Sequence, residues 1–324
     1  MSDDASQSTG RVQRRVGRHV PPWVARWAFA AVPCVGLFEL GTHAWQVRSV
    51  VPASDWQAAR VYLEAAARPE DLIAFAPRWV DPVGRAQLGT ALATFEREGR
   101  GDESGFPRAF EVSIRGAHLR ALEGWTRVDE RRFGGVTAAT LANPTPVHVL
   151  DDLVSMVDPA RMAVFTVDSS HANACPFAHA STQAGALGFG PAVPGDRFDC
   201  MGTFVGVSVM ADLEYRPRRC IYAPPPGPGG HLRLHFQGVH MGRTLYGHHG
   251  IYVEAERNRT GSPVTIRFTS GGSVVGEVVH KDGDGWKAFE FDTADLAGKT
   301  ADLDAEISAP AADRRMYCFE ATTR

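Results

Sequence analysis

The sequence predicts a mixed α/β layer followed by an antiparallel β-sandwich, set behind one N-terminal helical segment. Three observations predict it. Between residues 54 and 159, apolar residues fall alternately at helical spacing and in short continuous runs, the pattern of covered strands between helices. After about residue 160 the pattern becomes a strict two-residue alternation between Gly- and Pro-rich turns. Ahead of both, an arginine-rich leader runs into a lone apolar stretch, residues 27–40.

The leader carries Arg11, Arg14, Arg15, Arg18 and Arg26. Positive charge before a single apolar segment marks a chain with its N-terminus in the cytoplasm and its remainder exported. Segment 22–46 has the roughly 20 residues that a membrane helix needs, although Arg26, Pro33 and Glu39 interrupt it. It reads as an uncleaved single-pass anchor in the inner membrane, with 1–21 as a cytoplasmic leader. A cleaved signal and a buried helix of a soluble body are the alternatives. The 324 residues are 44% hydrophobic and 22% charged, with a net charge of −3, which leaves room for two further domains. With no basic stripe there is no case for a nucleic-acid partner.

Cys34 lies in the apolar leader, whereas Cys175, Cys200, Cys220 and Cys318 lie in the second half. An even number in an exported body points to disulfides. Four cysteines allow three pairings. The preferred one is Cys175–Cys200, closing a Gly-, Ala- and Pro-rich loop whose stretch 184–195 reads as surface, together with Cys220–Cys318, joining the opening and closing runs of the sandwich.

In the α/β part, residues 54–159, Ser54-Asp55-Trp56-Gln57 reads as a capping box. The helix behind it places Trp56, Ala59, Leu63 and Ala66 on one face, with Tyr62 alongside, and Arg68-Pro69 ends it. Leu72-Ile73-Ala74-Phe75-Ala76 is a strand covered on both faces. A second unit starts near Phe110-Glu111-Val112-Ser113-Ile114, passes a short helix at 118–123, and continues into β-rich 127–141. Residues 147–157 read as helical, which puts Asp151 and Asp152 on a solvent-facing helix. The alternation predicts a small doubly wound, Rossmann-like layer.

Here the segment Asp55-Trp56-Gln57-Ala58-Ala59-Arg60-Val61-Tyr62-Leu63, followed by Ala67-Arg68-Pro69-Glu70-Asp71-Leu72-Ile73, resembles the soluble region behind the membrane helices of bacterial protein-mannosyltransferase-like glycosyltransferases. The resemblance spans residues 55–145 loosely. It implies an extracytoplasmic accessory fold without the catalytic membrane part, and it carries over no catalytic residue. Directly after the first strand stand Arg78, Trp79, Asp81 and Arg85. Crevices at the carboxyl ends of strands are where α/β sheets bind ligands, so Arg78, Trp79 and Asp81 are candidates for a sugar or anion site. A strand-exit turn with an Arg–Asp pair is the competing reading.

Residues 160–324 form the predicted β-sandwich domain. His231-Leu232-Arg233-Leu234-His235-Phe236, Val264-Thr265-Ile266-Arg267-Phe268 and Asp302-Leu303-Asp304-Ala305-Glu306-Ile307 alternate at every step, as strands with one wet face do. About eight such runs after residue 218 fit a jelly roll. By strand spacing and the segment Asp284-Gly285-Trp286-Lys287-Ala288-Phe289-Glu290-Phe291, residues 218–324 are similar to galactose-binding-like and other carbohydrate-binding β-sandwich modules. Sugar sites need an aromatic platform beside hydrogen-bonding side chains. The run Met241-Gly242-Arg243-Thr244-Leu245-Tyr246-Gly247-His248-His249-Gly250 reads as a loop offering Arg243, Tyr246, His248 and His249, with Trp286 as platform or core plug.

No cofactor is expected and no metal. His171, Cys175 and His179 have helical metal spacing, but Pro176 breaks it; Lys281-Asp282-Gly283-Asp284-Gly285 lacks the later ligands of a calcium loop. No Gly-x-Ser-x-Gly elbow or glycine-rich phosphate loop occurs. The sequence thus points to a membrane-anchored envelope protein that binds a glycan or an envelope partner without catalysis. The alternative is a glycan-modifying enzyme, or a glycosyltransferase accessory subunit, with its site between the two domains.

Overall fold

The computed structural model describes residues 22–89, 91–94, 99–183, 191–200 and 202–324. The basic leader 1–21 and most of the stretch 184–195 lie outside them. Two compact units result, Met1–Val51 and Pro52–Arg324. The first contains helix α1, Pro22–Ser49, which runs on through Pro33. Among the described residues no helix is long and apolar enough to cross a membrane, so the expected single-pass anchor finds no support there. The reason is local. The uncharged run between Arg26 and Glu39 spans ~18 Å at 1.5 Å per residue, against about 30 Å of hydrocarbon.

In the second unit, helix α2 (Ala53–Ala66) buries Trp56, Ala59 and Leu63. Ser54 does not cap it: Pro52 is the N-cap residue and no side chain bonds the first turn. Asp55 instead accepts the Gly135 N–H at 2.8 Å, tying α2 to a distant hairpin. Four strands follow, β1 (Leu72–Ala76), β2 (Arg108–Ile114), β3 (Thr126–Phe133) and β4 (Val136–Ala142), with helix α3 (Asp81–Leu88) between the first two. The sheet order is β1-β2-β4-β3. Only β1 and β2 are parallel; the other neighbours are antiparallel, so the layer is a small mixed sheet and not Rossmann-like. A hairpin at Gly134, whose φ of +59° suits glycine, turns β3 straight back into β4 and leaves no second crossover. The expected helix at 118–123 is a single 3-10 turn, Arg120–Leu122. Asp71, 1% exposed, accepts from Arg108 Nε at 2.8 Å and from the Arg68 N–H at 2.7 Å, fixing the α2–β1 connection to β2.

The remaining chain builds two antiparallel sheets. The larger comprises, in spatial order, β16 (Lys287–Asp292), β13 (Thr244–Ile251), β18 (Tyr317–Thr323), β11 (Pro217–Tyr222), β10 (Thr203–Ala211), β9 (Asp196–Cys200) and β8 (Phe177–His179), with β5 (Asp151–Asp152) also paired to β18. The smaller comprises β15 (Ser273–His280), β14 (Val264–Ser270), β17 (Thr300–Ser308), β12 (His231–His240), β6 (Met162–Val167) and β7 (Ala172–Ala174). Leu232, Leu234 and Phe236 of β12, Ile266 and Phe268 of β14, and Leu303 and Ile307 of β17 point from one sheet into the shared core with Phe319 and Ala321 of the other. Period-two alternation sends their polar neighbours outward.

Two segments depart from expectation. Residues 147–157 are not a helix: Asp151 and Asp152 form β5, and the 3-10 turn Leu153–Met156 buries Leu153, Val154 and Met156 in the sandwich core. The run 241–250 is no loop, because most of it is β13, flanked by β16 and β18. Its glycines mark close approach. A Cβ on Gly247 would lie 2.1 Å from the Glu320 carbonyl oxygen, and one on Gly250 2.8 Å from the Trp286 ring. Disulfides join Cys175 to Cys200 and Cys220 to Cys318, the latter linking β11 to β18; Cys34 is free. Two disulfides are the cysteine usage of an oxidising, extracytoplasmic compartment.

Candidate functional site

Strand alternation in β13 and β18 decides which candidates meet. Leu245 of β13, with Phe319 and Ala321 of β18, faces the core, so Tyr246, His248, Glu320 and Thr322 face outward. His248 Nδ1 lies 2.6 Å from Glu320 Oε1, and the two side chains are 9% and 12% exposed. Tyr246 OH stands 3.5 Å from His248 Nε2. Trp286 stacks on His248 with ring centres 6.1 Å apart and planes 6° off parallel, and the Arg218 guanidinium lies 5.4 Å from the Trp286 ring. Arg218 is buried and donates to Asp212 at 2.8 Å. Trp286 is therefore a wall of the site and not an open platform.

Residues 99–106, from the α/β part, lie across this face. The Arg219 N–H donates to the Gly99 carbonyl at 2.8 Å, Arg218 to the Arg100 carbonyl at 3.3 Å, and Arg324 pairs with Asp102. At Gly101 a Cβ would fall 2.5 Å from His248 Nδ1, 2.7 Å from Glu320 Oε1 and 2.8 Å from Trp286 Nε1, so only glycine lets the chain pass so close. Beside this crossing, with residues 147–149 as the far wall, is a cavity of about 310 Å³. Arg100, Asp102, Phe106, Arg219, Glu320 and Arg324 supply most of its chemistry.

Burial acts to raise the Asp102 pKa, but hydrogen bonds from the Ser104 hydroxyl and N–H, with the Arg324 charge, hold it below the usual carboxylate range. Burial, then the Asp102 charge, raises the Tyr246 phenol, whose ring carries the Arg324 guanidinium 3.9 Å from its centre. The cavity thus presents charged groups of both signs and aromatic surface, and Glu320 on its lining is joined behind it to His248 and, through His248, to Tyr246, neither of which lines the cavity. Such a set donates to and accepts from a polyhydroxylated ligand, and it contains the group types used in proton transfer.

The other expected residues lie elsewhere. His249 points to the opposite side of β13, fully buried among His280, Phe289 and Tyr317. Burial, then the charge of His280, pushes its pKa down to about 3. Arg243 is exposed just ahead of β13, apart from the cavity lining. Arg78 and Asp81 stand at the carboxyl end of β1, where Asp81 pairs with Arg85 at 2.7 Å and Arg78 with Glu214 at 3.5 Å. Trp79 is 62% exposed, with the Arg115 guanidinium 5.8 Å from its ring. Sequence reasoning missed Arg100, Asp102, Phe106, Arg219, Glu320 and Arg324. The outward alternation of Glu320 in the last strand was a usable signal for that residue; nothing local marks 99–106 as a crossing.

No protein-family model matches the chain, and no curated protein matches it in sequence. Among solved structures it is similar to the CBM51-2 and INT domains of Clostridium perfringens ZmpB, at 9% identity over 54% of this chain and 40% of that one, with a TM-score of 0.26. The complex of CBM51-2 with GlcNAc, with the INT domains of the same protein, aligns at 9% identity over 59% and 44%, with a TM-score of 0.27. Xylanase 10C of Cellvibrio japonicus, in complex with xylopentaose, aligns at 7% identity over 50% and 26%, with a TM-score of 0.24. The chain therefore spans less than half the length of each of these neighbours. The likenesses are distant, and what this chain binds has to be read from its own residues.

Proposed function

We propose that the unit Pro52–Arg324 binds a glycan in the cavity beside the 99–106 crossing. The observation that carries this reading is the cavity itself. At about 310 Å³ it falls at the low end of the roughly 300–1,000 Å³ typical of ligand pockets. Its wall sets Phe106 among arginine and carboxylate groups suited to hydroxyl pairs. The neighbours' ligands, GlcNAc and xylopentaose, belong to the same chemical class, but the likeness is too distant to add weight. Glycan-array screening of the full chain, followed by calorimetry on the best ligand, tests the proposal. Glu320→Gln and Arg324→Gln should each weaken binding about tenfold, the ~1.4 kcal/mol of a lost hydrogen bond to a charged group. An array without hits, or variants that bind as tightly as the parent, would refute it.

A hydrolytic reading is favoured by one arrangement, the nearly buried His248–Glu320 pair with Tyr246 beside it. It requires turnover: new reducing ends should appear with the bound glycan and vanish in Glu320→Gln. For location we infer export, supported by the two disulfides and the arginine-rich leader. Alkaline phosphatase fused after residue 50 should be active, and an inactive fusion would contradict export.

A further inference from the structure

The cavity beside the 99–106 crossing is not closed on the side of the Asp102–Arg324 pair. A second, more open recess of about 360 Å³ adjoins it there. Asp102, Val147 and Arg324 line both and form the wall between them. Ser104, Thr244, Tyr246 and Glu290 complete the lining of the second.

Strand register explains why the two adjoin. Glu290 of β16 stands opposite Tyr246 of β13, Tyr246 opposite Thr322 of β18, and Thr322 opposite Asp152 of β5. Leu245, Phe289 and Ala321, next to them along their strands, point into the core, so Glu290, Tyr246 and Thr322 share the outer face. From Glu290 to Asp152 the row crosses three strand spacings, about 14 Å, which is longer than a single pyranose ring. Its Glu290 and Tyr246 end lies in the second recess, and its Thr322 and Asp152 end in the first. Arg324 sits over the middle, with its guanidinium 3.9 Å from the Tyr246 ring centre and its Nε donating to the Thr322 hydroxyl at 3.1 Å. The Asp102 and Arg324 side chains are 22% and 17% exposed, so the wall itself carries polar atoms within reach of a ligand.

The lining of the second recess names the kind of unit it suits. Hydroxyls of Ser104, Thr244 and Tyr246 stand with the exposed Glu290 carboxylate, for which the described residues supply no ion-pair partner. Such a carboxylate accepts from the hydroxyls of a neutral sugar and repels an acidic one.

We propose that the protein recognises a run of a neutral oligosaccharide, with one sugar unit in the cavity, the next in the recess, and the chain crossing the Asp102–Arg324 pair between them. The proposal rests on the glycan reading for the first unit and adds to it that the ligand is a chain and not a single end unit.

Calorimetry on the full chain would use two ladders of one to four units, one of N-acetylglucosamine and one of galactose, with single units read by displacement of the tetramer. In one ladder affinity should rise at least about tenfold from the single unit to the length that fills both recesses, the margin of one further charge-assisted hydrogen bond, and then level off. Glu290→Ala and Thr244→Trp, the second of which fills the recess, should each bring the tetramer back to the affinity of the single unit while the melting temperature holds. Tetragalacturonate should bind at least about tenfold more weakly than the neutral tetramer. Affinity that is flat along the ladder, a gain that survives both variants, or tetragalacturonate binding as tightly as the neutral tetramer would overturn the proposal. If affinity is flat and Glu320→Gln weakens it, the glycan reading stands and this proposal alone falls. If neither ladder binds, this proposal falls, and the glycan reading falls with it when the array is also without hits.

Discussion

Cutting the chain at residue 160, where the two-residue alternation begins, removes β5 and the 3-10 turn behind it. Leu153, Val154 and Met156, at 0%, 4% and 1% exposure, belong to the core between the two large sheets. Burying side chains of this size contributes about 1.5–3 kcal/mol each, so the cut forfeits roughly 5–9 kcal/mol, an upper bound set by the extended reference state. A whole domain has only about 5–15 kcal/mol to lose. A fragment 160–324 should therefore give a broad, non-cooperative thermal transition by circular dichroism, whereas 147–324 should melt cooperatively. The full chain offers a check that needs no truncation: Leu153→Ala should cost about 2–5 kcal/mol in urea unfolding, as other buried leucine truncations do. A cooperative 160–324 fragment melting at the same temperature as 147–324 would refute the reasoning, as would a Leu153→Ala cost below about 0.5 kcal/mol.

The disulfides close chain segments of 25 and 98 residues, for which chain entropy gives about 3.5 and 4.7 kcal/mol. Paired alanines at Cys220 and Cys318 should thus lower urea stability more than paired alanines at Cys175 and Cys200, and the reverse order would count against the entropic account. Gly84→Ala should destabilise despite the ~1 kcal/mol that alanine gains in a helix. Its Cβ would sit 2.2 Å from the Phe75 ring, and overpacking of that kind costs about 1–3 kcal/mol; a raised melting temperature would show that α3 shifts freely. His249, lowered from 6.5 to about 3, stays neutral when folded but takes a proton when unfolded. Its contribution is present above pH 6.5 and is lost as pH falls from 6.5 towards 3, by at most about 1.4 kcal/mol per unit. Urea melts across that window should show a flatter profile for His249→Phe, and parallel profiles would contradict the assignment.

Much of the fold was legible because burial repeats along the chain. Leu232, Leu234 and Phe236 announce one buried face by their spacing alone, and the apolar run 72–76 announces a strand covered on both sides. Elements whose neighbours are distant were not legible. Ser54 looked like a cap because its local pattern was right, yet Pro52 took the position and Asp55 turned to Gly135. Glycine-rich 241–250 looked like a loop, although its glycines are there so that Glu320 and Trp286 can come close. Half of the candidate site suffered the same way. Tyr246, His248 and Trp286 were visible as chemistry, but nothing local distinguished outward-facing His248 from inward-facing His249.

By itself, then, the sequence determined that strands such as β12, β14 and β17 carry one apolar face and that the second half is an antiparallel sandwich. It also determined that this half holds four cysteines available for pairing. Each of these follows from composition or from side chains two to four positions apart, which share a face whatever the rest of the chain does. The tertiary structure decided what lies on the outer face of the larger sheet. It laid residues 99–106 over His248 and Glu320, paired Asp102 with Arg324 from 222 positions away in the sequence, and gathered Arg78, Arg100 and Arg216 around one recess. Such groupings depend on which strands become neighbours and in what register. A shift of one residue in β13 or β18 would exchange the wet face for the core, and no local pattern records that choice.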